Sequence, residues 1–312
     1  MPELRRDPLT DRLVIIAPER SSRPHTAATS PTRSDDAVGD CPFCPGNEAL
    51  TPPEVARLGD GMPDTPGWLV RVAPNKYPIV GGPDAEPGTT GAHEVVVLSP
   101  AHDRSFGRLD RDQAVAVLGM LRDRSIHHLD AGRAFVQVMI NHGAAAGASL
   151  AHPHAQLVAL DIVPPAVTEA VTRLDDAGTD LVATEIAHGG DLLVIAGAAT
   201  AWCPNASASP YELRVAHRST RARFEDATDA EIAVVADTLR DSLARIATVL
   251  GDVAYNLVVH TAPPGRPGHF HWYVQITPRV AVVAGFEMGT EIFVNTVGPE
   301  RAAATLREVS GT

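Results

Sequence analysis

The stretch His152-Pro153-His154-Ala155-Gln156 carries the densest set of reactive side chains in the sequence. Pro153 disfavours helix at His152, so the segment is expected to be extended. In an extended segment residues two apart project from one face, which sets His152, His154 and Gln156 side by side. One imidazole of such a set can be anchored to a metal while its neighbour meets a substrate, and the amide of Gln156 can bond a phosphoryl oxygen. Upstream, Asn141-His142 leads into a run of small residues from Gly143 to Ser149. Small side chains let backbone amides approach an anion closely, as phosphate-binding loops require. A neutral imidazole that attacks phosphorus forms a phosphoramidate and splits one hard displacement into two easier ones. The competing reading makes both histidines ligands of a hydrolytic metal. Such sites gather carboxylates, and Asp161 is the one acidic residue close by in sequence. His154 is therefore read as the nucleophile.

Cys41-Pro42-Phe43-Cys44-Pro45-Gly46-Asn47 is a second chemical unit. Two thiolates at this spacing can chelate one tetrahedral zinc, with two further ligands from elsewhere. A redox pair is the rival, but it wants a helix start within a βαβ unit, whereas Pro-Gly directly after the cysteines suits a turn. A pair of buried thiols without function is the third option. His102, in Ser99-Pro100-Ala101-His102-Asp103, and His152 are the candidates for the missing ligands among 13 histidines.

The elements that must hold these residues follow a twofold pattern. Glu94-Val95-Val96-Val97-Leu98, Phe106, a helix, a strand around 135–140 and the 152–156 motif form one copy. Glu212-Leu213-Arg214-Val215, Phe224, a helix, a strand around 255–259 and His269-Phe270-His271-Trp272-Tyr273 form the other. The spacing from Glu94 to Phe106 equals that from Glu212 to Phe224. Asp110 with Gln113, and Thr228 with Glu231, predict capping boxes ahead of apolar residues at helical spacing. Short strands around one long helix favour an antiparallel α+β sheet. Residues 24–40, 81–91 and 262–268 read as loops.

At 312 residues the chain can build one large core or two medium ones. Its 44% hydrophobic and 21% charged residues are those of a globular protein. A net charge of −12 argues against nucleic-acid binding through a basic face, and a phosphate-ester substrate then needs a few local arginines. No signal-peptide core and no run of about 18 apolar residues occurs, and three cysteines make no disulfide framework, so a cytoplasmic protein off the membrane is expected.

Read in order, these motifs resemble the galactose-1-phosphate uridylyltransferase branch of the histidine-triad superfamily over nearly the whole chain. The resemblance rests on Arg6-Asp7-Pro8-Leu9-Thr10-Asp11, Ala17-Pro18-Glu19-Arg20-Ser21-Ser22-Arg23-Pro24, the cysteine motif, Arg71-Val72-Ala73-Pro74-Asn75, His93-Glu94-Val95, Ser99-Pro100-Ala101-His102 and the His-Pro-His-Ala-Gln segment. It implies two histidine-triad-like halves, residues 1–165 and 166–312, forming one antiparallel sheet (a half-barrel) with helices packed on it. Cys41, Cys44, His102 and His152 would ligate one structural Zn2+, and His154 would carry the nucleotidyl group. Ser149 and Gln156 would hold the α-phosphate, with Asn75 and Asn141 at the nucleotide. Arg20 and Arg23 would reach the sugar phosphate from the partner subunit of a homodimer. Ala284-Gly285-Phe286-Glu287-Met288-Gly289-Thr290 is similar to the sugar-binding segment, with Glu287 accepting from sugar hydroxyls; this region looks closer to ADP-glucose phosphorylase relatives.

The resemblance thus implies a hexose-1-phosphate nucleotidylyltransferase acting on a nucleoside-diphosphate sugar and a sugar 1-phosphate. The alternatives are a phosphorylase that uses inorganic phosphate and a zinc-stabilised nucleotide-binding protein without turnover. Departures from the family pattern also appear. A second CxxC is lacking, Thr220 and Tyr273 stand where family histidines are expected, and Ala281, Val282 and Lys76 replace usual contacts. One metal is expected, although Glu169, His260, His269 and His271 are a conceivable second set.

Overall fold

Valine-rich runs that alternate with polar residues form strands, and the computed structural model places most of them in one sheet. It describes residues 1–22, 39–82, 85–86 and 88–310; the loop expected at 24–40 lies, but for Gly39 and Asp40, outside the described residues, as does Arg23. In chain order, β1 (Glu3–Arg6) and β2 (Leu13–Ile16) pair as a hairpin. Strands β3 (Ala56–Gly59), β4 (Trp68–Pro74) and β5 (Gly91–Val97) follow, then helix α1 (Arg111–Asp130), β6 (Phe135–His142) and β7 (His154–Leu160). Next come α2 (Pro165–Ala177), α3 (Leu181–Ala187), β8 (Leu193–Ile195), β9 (Ala199–Trp202), β10 (Leu213–His217), α4 (Asp229–Leu250), β11 (Tyr255–His260) and β12 (Tyr273–Pro278). Last are α5 (Gly285–Thr290), β13 (Ile292–Asn295) and α6 (Pro299–Glu308).

Ten strands form an antiparallel sheet in the order β3-β4-β5-β7-β6-β11-β12-β10-β9-β8. Read outward from the β6–β11 seam, the order is the same on both sides: β6-β7-β5-β4 and β11-β12-β10-β9. The twofold pattern of the sequence is therefore a twofold pattern of the sheet, and the α+β expectation holds. β13 adds in parallel to β2 in a separate three-stranded sheet. No helix among the described residues is long and apolar enough to cross a membrane.

Helices α1 and α4 lie on one face of the sheet. Val117, Leu118 and Leu121 of α1 and Val235, Leu239 and Leu243 of α4 share one core with Val138, Leu157, Val215, Leu257 and Val274. The reciprocal capping box of α4 is present: Glu231 N donates to Thr228 Oγ1 and Thr228 N to Glu231 Oε2. That of α1 is only half made. Asp110 accepts from Gln113 N, but the Gln113 amide instead donates to the carbonyls of Leu69 and Leu98, tying the helix to β4 and the end of β5.

The two glutamates that looked equivalent in sequence are not. Phe106 and Phe224 are both buried in the core just before their helices. Glu94, however, faces α1, where it accepts from Arg124 Nε and lies 2.9 Å from His128 Nε2. Glu212 is on the opposite face and accepts from the amides of Ala208 and Ser209. A one-residue difference in strand phase sends a side chain to the other face, and spacing alone cannot detect it.

Since Val138, Ile140, Ala155 and Leu157 face the core, Asn141, His154 and Gln156 project from the face opposite α1 and α4. The same face of the second half holds Arg214, wholly buried between Asp7 and Glu185, with its guanidinium 5.4 Å from the Tyr273 ring centroid. His260 stacks on Tyr273 at 4.5 Å, and burial, together with Arg214, pushes its pKa from 6.5 down to about 3. The unfolded chain binds this proton near pH 6.5 and the fold only near 3, so the stability contributed is complete above the first value and is lost as the pH falls towards the second. Between pH 7 and 5 the unfolding free energy of the wild type is expected to drop by about 2 kcal/mol more than that of His260→Phe, which keeps the ring stack. Urea titrations at the two pH values check this; equal drops would refute it.

Candidate active site

Cys41, Cys44, His102 and His152 come together from three separate segments, with their ligand atoms all within 4.8 Å of one another. Cys44 Sγ lies 3.3 Å from His102 Nδ1 and 3.5 Å from His152 Nδ1, and Cys41 Sγ lies 3.6 Å from His152 Nδ1. The His152 Nε2–H donates to the carbonyl of Ser99 at 2.8 Å, which leaves Nδ1 as a lone pair facing the thiols. Burial and the neighbouring Cys41 push the Cys44 thiol up to about 11, and burial pulls His152 down to about 4. Two sulfurs and two imidazole nitrogens converging with one ring already oriented from behind can hold a metal ion. The redox reading loses its setting, because the cysteines sit in a turn, not at a helix start. The knuckle is fastened by Glu48, which accepts from Gly46 N and from Trp68 Nε1 of β4, both at 2.9 Å.

His154 opens β7 opposite Val97 of β5 and is buried. Its Nδ1–H donates to the carbonyl oxygen of His152 at 2.9 Å, so the remaining lone pair is on Nε2, which has no hydrogen-bond partner among the described residues. Burial lowers its pKa, which favours the neutral, nucleophilic ring. Phe43, the residue inside the cysteine motif, packs on this ring with centroids 5.2 Å apart. The cysteine turn thus touches His154 directly, a role that spacing did not reveal.

Gln156 lies two residues along the same face, and its Oε1 is 2.9 Å from His93 Nε2. The backbone N–H of Ile79 points at His93 Nδ1, at 3.3 Å. A backbone hydrogen cannot be turned away, so Nδ1 is the acceptor and Nε2–H donates to Gln156. The Asn75 amide nitrogen, 3.2 Å from the same Nε2, makes no bond in that tautomer, its Oδ1 being taken by Tyr77 N. Gln156 therefore presents its two N–H groups outward. His93 stood in a recognised motif but was not singled out, because a histidine on an apolar strand is most often structural.

Asn141 pairs across the seam with Asn256, whose amide donates to Asn141 Oδ1 at 2.7 Å and to the carbonyl of Ala146 at 2.8 Å. The small-residue run turns at Gly143, with φ of 81°, and at Gly147, with φ of 87°. A Cβ at Gly143 would also meet Ala254 Cβ at 2.9 Å, so this turn requires glycine. Ser149 is exposed at the end of the run. Glu287 of α5 lines a cavity of about 350 Å³ on the face opposite α1 and α4 with Arg12, Asn256, Gln275 and Arg279. Its Oε2 accepts from Ala284 N at 3.0 Å. Arg20 is exposed on the short turn after β2, and no hydrogen bond or ion pair joins it to His154 or Gln156. Of the residues conceivable as a second metal set, His271 lies between Asp180 and the His217 carbonyl, His269 beside Asp175, and His260 on Tyr273.

The chain is 32% identical to the ADP-glucose phosphorylase of Arabidopsis thaliana, over 100% of this chain and 94% of that protein. The chain belongs to the galactose-1-phosphate uridylyltransferase and ADP-glucose phosphorylase family. To the galactose-1-phosphate uridylyltransferase of Thermotoga maritima, within the same family, it is 25% identical over 99% of this chain and 98% of that one. The solved structure of the A. thaliana ADP-glucose phosphorylase with bound ADP-glucose matches with a TM-score of 0.87 at 31% identity, covering 99% of this chain and 100% of that chain. A family model described as a domain of unknown function, DUF4921, matches residues 101–309.

Elemental analysis of the purified protein is expected to find one divalent metal per chain, absent from Cys44→Ser. Removing it by chelation is expected to lower stability by about 3 kcal/mol or more in denaturant titrations. A metal-free wild type that unfolds unchanged after chelation would refute the site.

Proposed function

We propose that this chain splits a nucleoside-diphosphate sugar through a nucleotidyl intermediate on His154, with an ADP-glucose-like donor and inorganic phosphate as acceptor. The observation that carries the reading is the His154 ring itself: buried, held at Nδ1, with its Nε2 lone pair on the sheet face beside Gln156. In the first step Nε2 attacks the α-phosphorus; the P–N bond forms, and the sugar 1-phosphate leaves with the electron pair of the broken P–O bond. The nitrogen gives up no proton, so the ring becomes a cation, and the His152 carbonyl on Nδ1–H stabilises it. In the second step an acceptor phosphate oxygen attacks phosphorus and the P–N electrons return to Nε2. Two in-line displacements on one nitrogen give ping-pong kinetics.

Each neighbour has a part that follows from its position. Gln156, fixed by His93, donates to an α-phosphoryl oxygen, and Ser149 does so from the end of the glycine-bounded turn. Asn75 and Asn141 bind the nucleotide, and Glu287 with its cavity the sugar. Arg20 and Arg23 serve the site of a second copy in a homodimer. We assign the metal as zinc, because two thiolates and two imidazoles are a donor set that suits it. Cys41, Cys44, His102 and His152 would hold the ion in a structural role, fixing His152, whose carbonyl in turn sets the tautomer of His154. Residues 1–165 carry metal and nucleophile and 166–312 the sugar cavity. Buried free thiols at 41, 44 and 203 fit a cytoplasmic location.

The greater identity to the phosphorylase than to the uridylyltransferase puts phosphate ahead of hexose 1-phosphate as acceptor. The uridylyltransferase reading shares the first step and differs in the second. Mixing with ADP-glucose is expected to add the mass of one AMP to wild type and none to His154→Ala, read by intact-protein mass spectrometry. Phosphate should then discharge the adduct as ADP; discharge by hexose 1-phosphate alone would select the transferase. Absence of an adduct with both ADP-glucose and UDP-glucose on folded, metal-loaded protein would overturn the mechanism. Gln156→Ala is expected to lower the rate of adduct formation by about 10²–10³-fold.

A further inference from the structure

A cavity of about 520 Å³ lies on the helix side of the sheet, away from the face that bears His154 and Gln156. Its walls are the turn at Gly107–Arg108, the C-terminal half of α4 and the seam residues His142 and Tyr255. The floor is apolar, formed in part by the buried Leu243 and Ile246. The Tyr255 ring stacks on His142 at 4.9 Å, and its buried hydroxyl makes no hydrogen bond of normal geometry among the described residues, although Ser105 is close by. A buried hydroxyl left without a partner is unfavourable, so an occupant that reaches it is favoured.

The charges at the mouth have one dominant sign. Arg108 is exposed and has no acidic partner among the described residues. Arg240 places Nε on the Leu109 carbonyl at 2.7 Å and keeps Nη1 only loosely on Asp237, at 3.7 Å. The acidic side chain that lines the cavity is Asp252, 3.4 Å from His142 Nε2. Two guanidinium groups with N–H donors to spare stand at the rim of an apolar pocket, in a chain whose net charge is −12. Such a rim suits a dianion with a compact hydrophobic body, since an arginine pair binds phosphate through charge-assisted hydrogen bonds. The volume is that of a pocket for a small organic ligand.

We propose that this cavity is a second ligand site, for a small phosphomonoester whose body rests on Leu243 and Ile246 and whose phosphate is held by Arg108 and Arg240. The site is independent of the reaction assigned to His154. It is nonetheless mechanically close to it: His142 stacks on the cavity's tyrosine and is followed by Gly143, which is pinned against Ala254 at the root of the small-residue turn.

Phenyl phosphate is the probe, titrated by calorimetry into wild type, Arg108→Glu, Ala247→Trp and Gln156→Ala, each checked for native near-ultraviolet circular dichroism. Ala247 is exposed on the cavity wall, so a tryptophan there can enter the space without disturbing the core. The expected result is saturable binding to wild type and Gln156→Ala with a Kd of about 1 mM or tighter, weakened at least about tenfold in both Arg108→Glu and Ala247→Trp. Benzyl alcohol, which lacks the charge, should not compete. Absence of binding to wild type, or binding that survives Arg108→Glu and Ala247→Trp and is lost in Gln156→Ala, would overturn the proposal.

Discussion

One hydrogen bond, from His154 Nδ1–H to the carbonyl of His152, governs the reactivity of the candidate site. It decides which ring nitrogen keeps its lone pair and where a positive charge on the ring is received. The bond exists because both residues belong to one extended segment, so that the backbone of the first is within reach of the side chain of the second. The segment in turn is pinned at its start by the four-ligand cluster and along its length by β5 and β6. The Cys/His cluster, the sheet and His154 are therefore one mechanical unit.

The surrounding architecture serves that unit by separating two jobs between the faces of one sheet. The face under α1 and α4 buries the apolar residues and provides cohesion. The other face spends its positions on side chains that cannot all be satisfied by one another: His154, Gln156, Asn141, Asn256 and, further out, Glu287. Where this face is closed, as around Arg214, the ion pairs with Asp7 and Glu185 neutralise charge that would otherwise be left in a dry interior. Along β6 and β7 the two jobs are thus divided by the parity of residue number, whereas on β9, β10 and β12 the second face also buries Trp202, Ala216 and Tyr273 against α2 and α3.

That parity explains which parts of the molecule were legible in the sequence. The cysteine turn and the extended His-Pro-His segment were readable because CxxC spacing and the restraint of Pro153 are local, whereas the approach of His102 and His152 to the thiols belongs to the fold. Helix α4 was readable from Thr228 and Glu231, and the twofold order of elements from valine runs and long helices. The capping of α1 was misjudged because Gln113 bonds to strands distant in the chain, and spacing could not show that Glu94 and Glu212 point to opposite faces. The contacts of His93 with Gln156 and of Phe43 with His154 depend on strands that meet only in the folded sheet. Arg23 lies outside the described residues, and Arg20 makes no hydrogen bond or ion pair to His154 or Gln156.

The seam between β6 and β11 sets the order in which such a molecule can assemble. Strand pairings within each half join segments near in sequence, whereas the Asn141–Asn256 contact closes a loop of 115 residues. Contacts of that range are entropically expensive and slow to form. The amide that aligns Asn141 and steadies the Ala146 carbonyl arrives with the seam. The glycine-bounded turn is then a late product of folding, matured only when the two halves have met.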